Sequence, residues 1–253
     1  MPPTVTLIGI EGLPEIQAGD DLAEMLRTAC EQQATPLQDG DVLVVTQKIV
    51  SKAEGRVLDL RSVTPSAIAT EFAAAWDKDP RVVEIALAEA RRVVRMDNGV
   101  LITETKHGFI CANSGVDASN VGKAGSDYVV LLPEHPDDSA RRIRDYLRSR
   151  THVDVAVIVS DTFGRPWREG AGNVAIGIAG MEPLGDYRGQ NDTDGRELHS
   201  TVIAVADEIA AASELVTNKL TRVPAAIVRG YPYIRGESGI FPMLREKGKD
   251  LFR

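Results

Sequence analysis

Asp154 to Ser160 is a nearly continuous run of valine, isoleucine and alanine, and Asp41-Val-Leu-Val-Val-Thr46 is a second short apolar run just after an Asp-Gly turn. Runs of this length without polar alternation predict buried strands, so the chain has to build a covered sheet around them. The surrounding pattern mixes strands and helices without a regular βαβ rhythm. It therefore favours an α+β (mixed α/β) architecture over a doubly wound parallel sheet.

Val5 to Ile10 reads as a strand broken by Gly12-Leu-Pro14. Asp20-Asp21 marks the start of a helix reaching about Glu31. Ser51-Lys-Ala-Glu-Gly55 reads as polar turn chemistry. Thr64-Pro-Ser and Pro80 each open a helix, the second with Val82, Val83, Ile85, Ala86 and Ala90 on its apolar face. Gly99 to Thr105 and Gly108 to Ala112 predict a hairpin turning at Lys106-His107, and Tyr128 to Leu132 a strand ended by Pro133. An arginine-rich helix is expected over Asp138 to Arg150, a small apolar segment over Ala171 to Ala179 and a polar loop over Asp186 to Arg196. A helix takes most of Thr201 to Val216, and Val223 to Arg229 is a last core strand. With no repeat, low-complexity segment or clear linker, residues 1–253 read as one domain, and any division into subdomains falls near residues 133–153.

A chain of 253 residues with 43% hydrophobic and 26% charged residues has ample material for a core. Its net charge of −8 argues against a nucleic-acid partner. The N-terminus lacks the basic start and apolar stretch of a secretion signal, and no apolar run approaches a membrane span, so the expected location is cytoplasmic, with no membrane partner. Cys30 and Cys111 have no metal-type spacing and read as buried reduced thiols. There is no P-loop, no Gly-x-Gly-x-x-Gly after the first strand and no Gly-x-Ser-x-Gly elbow. His107, His135, His152 and His199 show no zinc spacing.

Two segments stand out against these absences. Asn113-Ser-Gly-Val-Asp117-Ala-Ser-Asn120 and Ser160-Asp161-Thr162-Phe-Gly-Arg165 each place an aspartate in a small-residue turn at the end of an apolar run. Such carboxylates suit a hard divalent ion that bridges to substrate phosphates, although each also suits a simple turn or helix cap. Lys48 and Lys52, just past a buried strand, can reach a phosphate or stay solvated. Asn120 suits a base or ribose contact, or a turn. Arg165, Arg168 and Arg188 suit an acidic substrate, or surface ion pairs.

These residues, with Glu11-Gly-Leu-Pro14, Val50-Ser-Lys-Ala-Glu-Gly55, Ala206-Asp-Glu-Ile-Ala210 and Pro224 through Arg229-Gly230, resemble the coenzyme F420-0:γ-glutamyl ligase family from nearly end to end. The resemblance implies a GTP-dependent ligase. It would add L-glutamate to the deazaflavin F420-0, first by an amide bond and then by γ-glutamyl linkages, with Mn²⁺ or Mg²⁺ and with K⁺. It implies an F420-ligase-like fold with mixed and antiparallel sheets, and an intertwined homodimer. By position, Leu13, Pro14, Glu15, Ile16, Gln47, Lys48, Lys52 and Asn120 correspond to GTP contacts, and Asp117, Asp161 and Thr162 to metal ligands. Arg165 and Arg168 are candidates for holding the substrate, and Glu54, Asp207 and Glu208 for the general base.

One segment departs from the family's pattern. Before the last core strand, where the family often has Met-Gly followed by Gln, Glu or Lys as part of its GTP and metal site, this chain reads Thr217-Asn-Lys219. A protonated lysine cannot ligate metal, but it can contact phosphate. Two other functions use similar groups: a metal-dependent hydrolase of phosphate esters or anhydrides, and an inactive nucleotide-binding paralogue.

Overall fold

The two apolar runs lie side by side and parallel in a five-stranded sheet. The computed structural model describes residues 2–118 and 127–250. In chain order its strands are β1 (Thr6–Gly9), β2 (Val42–Thr46), β3 (Val57–Asp59), β4 (Ala90–Asp97), β5 (Val100–Thr105), β6 (Ile110–Ala112), β7 (Tyr128–Val130), β8 (Ala156–Phe163), β9 (Gly172–Ala179), β10 (Gly185–Asp186), β11 (Val202–Ile203) and β12 (Ala225–Arg229). The helices are α1 (Leu22–Gln32), α2 (Gln47–Ala53), α3 (Ala67–Trp76), α4 (Pro80–Ala88), α5 (Pro136–Thr151) and α6 (Val205–Thr217).

The large sheet runs β1-β12-β2-β8-β9, with β2 and β8 parallel and the other neighbours antiparallel. Four successive side chains of β2, Val42 to Val45, are buried, so both faces of the sheet are covered, as continuous apolar strands require. Helices α5 and α6 both pack against it, and α1 lies on α5. The remaining strands form an antiparallel β4-β5-β6 sheet and two antiparallel pairs, β3-β7 and β10-β11. This is the mixed α/β architecture with mixed and antiparallel sheets that the sequence predicts.

Two hydrophobic cores result. The larger gathers residues between Ile10 and Val50 and, apart from Phe109, between Leu132 and Ile240. The smaller is built wholly from Leu60 through Leu131, including Phe72, Val83, Ile85, Leu101, Val116 and Val129. The smaller unit is thus inserted between α2 and α5. The stretch 133–153, where a seam was expected, is mostly α5, whose Ala140, Ile143 and Leu147 belong to the larger core.

Three local expectations change. Ser51 to Ala53 is not a turn but the end of α2, where Ser51 is buried and its hydroxyl donates to Gln47 Oε1 at 2.9 Å. Ala90 leaves α4 and opens β4, whose side chains alternate between half-buried and exposed. That strand was hidden by its arginines, one of which, Arg92, pairs with buried Glu104 at 2.6 Å. The β4-β5 hairpin turns at Asn98-Gly99, both with positive φ (49° and 69°), the two-residue Asn-Gly turn whose twist matches antiparallel strands. Finally, β8 does not stop at Ser160. It continues to Phe163 because β9 pairs with it as far as Phe163↔Gly172, so Asp161 and Thr162 are strand residues and the turn is 164–171.

The edge strand β9 is protected by carboxylates from two helices. Asp137 of α5 accepts the Ile178 amide at 2.7 Å, and Asp207 of α6 accepts the Ala175 amide at 2.8 Å. Ile176 is the extra residue of a β-bulge there, since Val159 pairs with Gly177 and Ser160 with Ala175. Bulges of this kind commonly sit beside functional sites, and Asp161 follows directly on β8.

Candidate functional site

Asp117 and Asp161 reach one place by different routes. Before Asp117 the chain makes three successive left-handed residues, Asn113, Ser114 and Gly115 (φ 51°, 55° and 71°). Asn and Gly tolerate that conformation, whereas Ser114 is held in it by burial: its amide donates to Thr103 Oγ1 at 3.0 Å and its hydroxyl to the Ala86 carbonyl at 2.6 Å. Asp117 then forms an isolated antiparallel bridge with Val130 and pairs with Lys48 of α2, Nζ to Oδ2 at 2.8 Å. This ion pair joins the smaller unit to the larger.

Asp161 stands on β8, and its Oδ1 accepts the Thr162 amide at 2.8 Å. Burial pushes its carboxyl up to about 6; the Asp117 charge adds to the rise, while Lys219 and Lys48 pull against it. The same field reaches Cys111 on β6, whose thiol is pushed up to about 12 chiefly by burial and secondarily by Asp161. Cys30 is likewise raised to about 11 by burial, and both thiols are free.

A hydrogen-bonded chain continues from Thr162. Its hydroxyl donates to Asn173 Oδ1 at 2.7 Å and accepts from Lys219 Nζ at 2.6 Å. Asn173 Nδ2 donates to Glu214 Oε2 at 2.8 Å, and Glu214 Oε1 lies 3.5 Å from Lys219 Nζ. Asn173 and Glu214 were not singled out in the sequence. Their signal is modest: Asn173 is the one amide in the small apolar run of β9, and Glu214 interrupts the apolar last turns of α6.

Lys52, at the end of α2, forms an ion pair with Glu15 in the loop after β1. Leu13 packs against the larger core, Ile16 is buried in it, and Pro14 and Glu15 are exposed. Gln47 is also buried, so Ile16 and Gln47 anchor their segments, while Lys48 and Lys52 are largely covered and Glu15 is exposed. Asn120 lies outside the described residues.

Arg165 and Arg188 are engaged locally. Arg165 folds onto its own loop, donating to the Gly170 carbonyl at 2.9 Å and to that of Glu169, which stiffens residues 164–171. Arg168 and Trp167 are exposed on this loop, which lines an open cavity of about 590 Å³. Arg188 pairs with Asp186 at 2.6 Å. Of the general-base candidates, Glu54 binds Arg142 and Ser139 of α5, Asp207 holds the Ala175 amide, and Glu208 is exposed.

Among the described residues no three His, Cys, Asp or Glu side chains converge as a metal cage. Asp161, with the Asp117 charge close enough to raise its carboxyl, nonetheless forms with Asp117 a pair that fits a Mg²⁺- or Mn²⁺-type ion, which takes one or two protein carboxylates and completes its shell with water and substrate phosphate. No helix among the described residues is long and apolar enough to cross a membrane.

Residues 11–230 match the family described as F420-0:Gamma-glutamyl ligase. The chain is 44% identical over 252 residues to the coenzyme F420:L-glutamate ligase of Methanothermobacter thermautotrophicus, covering 98% of this chain and 99% of that one. It is 43% identical over 252 residues to the protein of the same name from Methanopyrus kandleri, covering 96% and 97%. For that of Methanocaldococcus jannaschii the identity is 40% over 252 residues, covering 98% and 97%. Matches of this extent and identity mean that the chain belongs to the F420-0:γ-glutamyl ligase family.

Proposed function

We propose that this chain is a GTP-dependent ligase that adds L-glutamate to coenzyme F420-0, first through an amide bond and then through γ-glutamyl linkages, in coenzyme F420 biosynthesis. The observation that carries the reading is the full-length kinship with coenzyme F420:L-glutamate ligases, joined to a cluster of carboxylates and lysines suited to phosphate chemistry.

Amide formation from a carboxylate requires a better leaving group than oxide. Transfer of the GTP γ-phosphoryl group to the acceptor carboxylate supplies it as an acyl phosphate. The glutamate amine then attacks the acyl carbon, the C–N bond forms, the C–O bond to phosphate breaks, and the amine loses a proton. Such chemistry rests mainly on positioning and charge neutralisation. Asp117 and Asp161 are the residues that would hold Mn²⁺ or Mg²⁺, an ion that neutralises phosphate oxygens when bound. Lys48 and Lys52 face negative charge developing on the phosphates. Leu13, Pro14, Glu15, Ile16, Gln47 and Asn120 belong to the GTP-contacting segments of this reading, and Arg165 and Arg168 to the acceptor side. K⁺ is its monovalent activator and a homodimer its assembly.

The test is the full chain incubated with GTP, Mn²⁺, L-glutamate and F420-0, and products resolved by mass. Successive additions of one glutamyl residue, each with consumption of one GTP, are expected. GTP hydrolysis that proceeds equally without F420-0 and glutamate would make the chain a hydrolase. Tight GTP binding without turnover under either metal would make it a non-catalytic nucleotide binder.

A further inference from the structure

We propose that the Lys219 ammonium is a built-in cation of this site: it occupies Thr162, so that the carboxylates hold a single divalent ion and the lysine meets the nucleotide's phosphate in place of a second one. Thr162, by resemblance a metal ligand, is committed on two sides. Its proton goes to Asn173 Oδ1 at 2.7 Å, and one of its lone pairs accepts Lys219 Nζ at 2.6 Å. A divalent ion bound to the remaining lone pair would sit about 4 Å from the ammonium on the same small oxygen, two positive centres on a half-buried hydroxyl whose lysine partner is itself 59% exposed.

The ammonium is not there by default. Glu214 at the end of α6 flanks it at 3.5 Å through Oε1, and its Oε2 is fixed by Asn173 Nδ2 at 2.8 Å and by the Thr217 hydroxyl at 3.4 Å. Asn173 thus ties the hydroxyl and the carboxylate that together receive the lysine, and buried Asn173 sits on the paired section of β9 opposite Thr162 itself. Lys219 also reaches electrostatically to Asp161. Its backbone follows Asn218, which turns the chain with φ 55° at the end of α6.

The charges favour one divalent ion. Asp117, Asp161 and Glu214 are answered by Lys48 and Lys219, which leaves one net negative charge among these five groups. A single divalent ion reverses that to one positive charge, the sign needed to receive a nucleotide phosphate. A second would bring three, with one ion placed against the Lys219 ammonium. Lysine serves phosphate well as a point charge.

The metal count does not depend on the nucleotide reading, whereas the phosphate contact rests on it, and the two are measured separately. Mn²⁺ alone is titrated into the full chain, and free Mn²⁺ is counted by electron paramagnetic resonance. One Mn²⁺ per chain is expected for the native protein and a second for Lys219→Gln, which removes the positive charge and offers an amide oxygen. Two Mn²⁺ per native chain, or unchanged stoichiometry in Lys219→Gln, would overturn the metal half. Lys219→Met is then compared with native for a non-hydrolysable GTP analogue at saturating Mn²⁺. At least about tenfold weaker binding is expected from loss of one charge-assisted phosphate contact. Binding within twofold of native would overturn the phosphate half. A native chain that counts one Mn²⁺ but binds no guanine nucleotide would refute the GTP reading and that contact with it, and leave the metal half standing.

Discussion

The two aspartates of the site are the same residue type held under opposite rules. Asp117 comes from the smaller unit, on a turn kept by buried Ser114, and meets Lys48 across the boundary at 2.8 Å. Asp161 comes from the large sheet, where β9 pairing and burial hold it, and its carboxyl is pushed up to about 6. One carboxylate is stabilised by its partner, and the other carries an electrostatic penalty that a bound cation would relieve. A site divided in this way has one carboxylate fixed by the large sheet and the other brought by the inserted unit.

The largest effect expected is loss of activity at either position. Asp117→Asn and Asp161→Asn should each reduce glutamyl transfer by about 10³-fold or more, since each removes charge from the centre proposed to handle phosphate. Thermal melts without metal at pH 7 separate the two. Asp161→Asn keeps an acceptor for the Thr162 amide and removes a penalised charge, so it should melt no lower than native. Asp117→Asn removes the charge of the Lys48 ion pair and should lose up to about 1 kcal/mol, the range for a partly exposed pair. A lower melting point for Asp161→Asn than for Asp117→Asn would break the comparison.

Next comes the turn that delivers Asp117. Gly115 has φ 71°, and a Cβ there would lie 2.8 Å from the buried Leu132 side chain. Gly115→Ala therefore combines left-handed strain with a clash and should cost about 2 kcal/mol in urea unfolding. It should weaken Mn²⁺ binding as well, because Asp117 is two residues on. Unchanged Mn²⁺ affinity in a destabilised variant would mean that the turn holds the fold and not the ligand.

The pH response belongs to Asp161. Its carboxyl, raised from an ordinary 3.8 to about 6, keeps its proton in the native state where the unfolded chain has lost it. Stability without metal should thus fall as pH rises through that window. Metal binding has the opposite dependence because the proton competes with the ion. Between pH 7 and pH 5 the apparent Mn²⁺ affinity of the native chain should drop about tenfold. A flat affinity over that range would remove Asp161 from the ligand set.

Much of this arrangement was legible in the chain. Short uninterrupted apolar runs located β2 and β8, and Asp20-Asp21, Thr64-Pro-Ser66 and Pro80 marked helix starts, because caps and buried strands are local in sequence, although α3 begins at Ala67 with Ser66 as its cap and Pro65 outside it. The candidate residues Asp117, Asp161, Thr162 and Lys48 all stood out in the chain, and the structure adds their partners: Lys48 for Asp117, the Thr162 amide for Asp161, and Asn173 and Lys219 for Thr162. What escaped depended on partners distant in the chain. Polar Asp161 and Thr162 remain in a strand only because β9 pairs with them, and β4 hides behind arginines that Glu104 and the Asn98-Gly99 turn accommodate. Asn173 and Glu214 acquire meaning only when β9 and α6 bring them to Lys219. The insertion of the smaller unit was illegible for the same reason, since its core draws on strands and helices from 60 to 131 that no linker announces.

The smallest effect tests the far lysine against the near one. Lys48 pairs with a carboxylate of the centre itself, whereas Lys52 pairs with Glu15, a side chain about 70% exposed in the loop after β1. An exposed partner contributes at most about 1 kcal/mol, and an incoming phosphate has to compete with it for the same ammonium. Glu15→Gln should therefore tighten GTP binding by about two- to fivefold with melting temperature unchanged, while Lys52→Met weakens it. Isothermal titration at two salt concentrations discriminates the cause, since a gain from released charge shrinks as salt screens it. Weaker GTP binding in Glu15→Gln would instead make Glu15 a direct contact to the nucleotide, and the loop after β1 would then bind through that side chain and not only present it to Lys52.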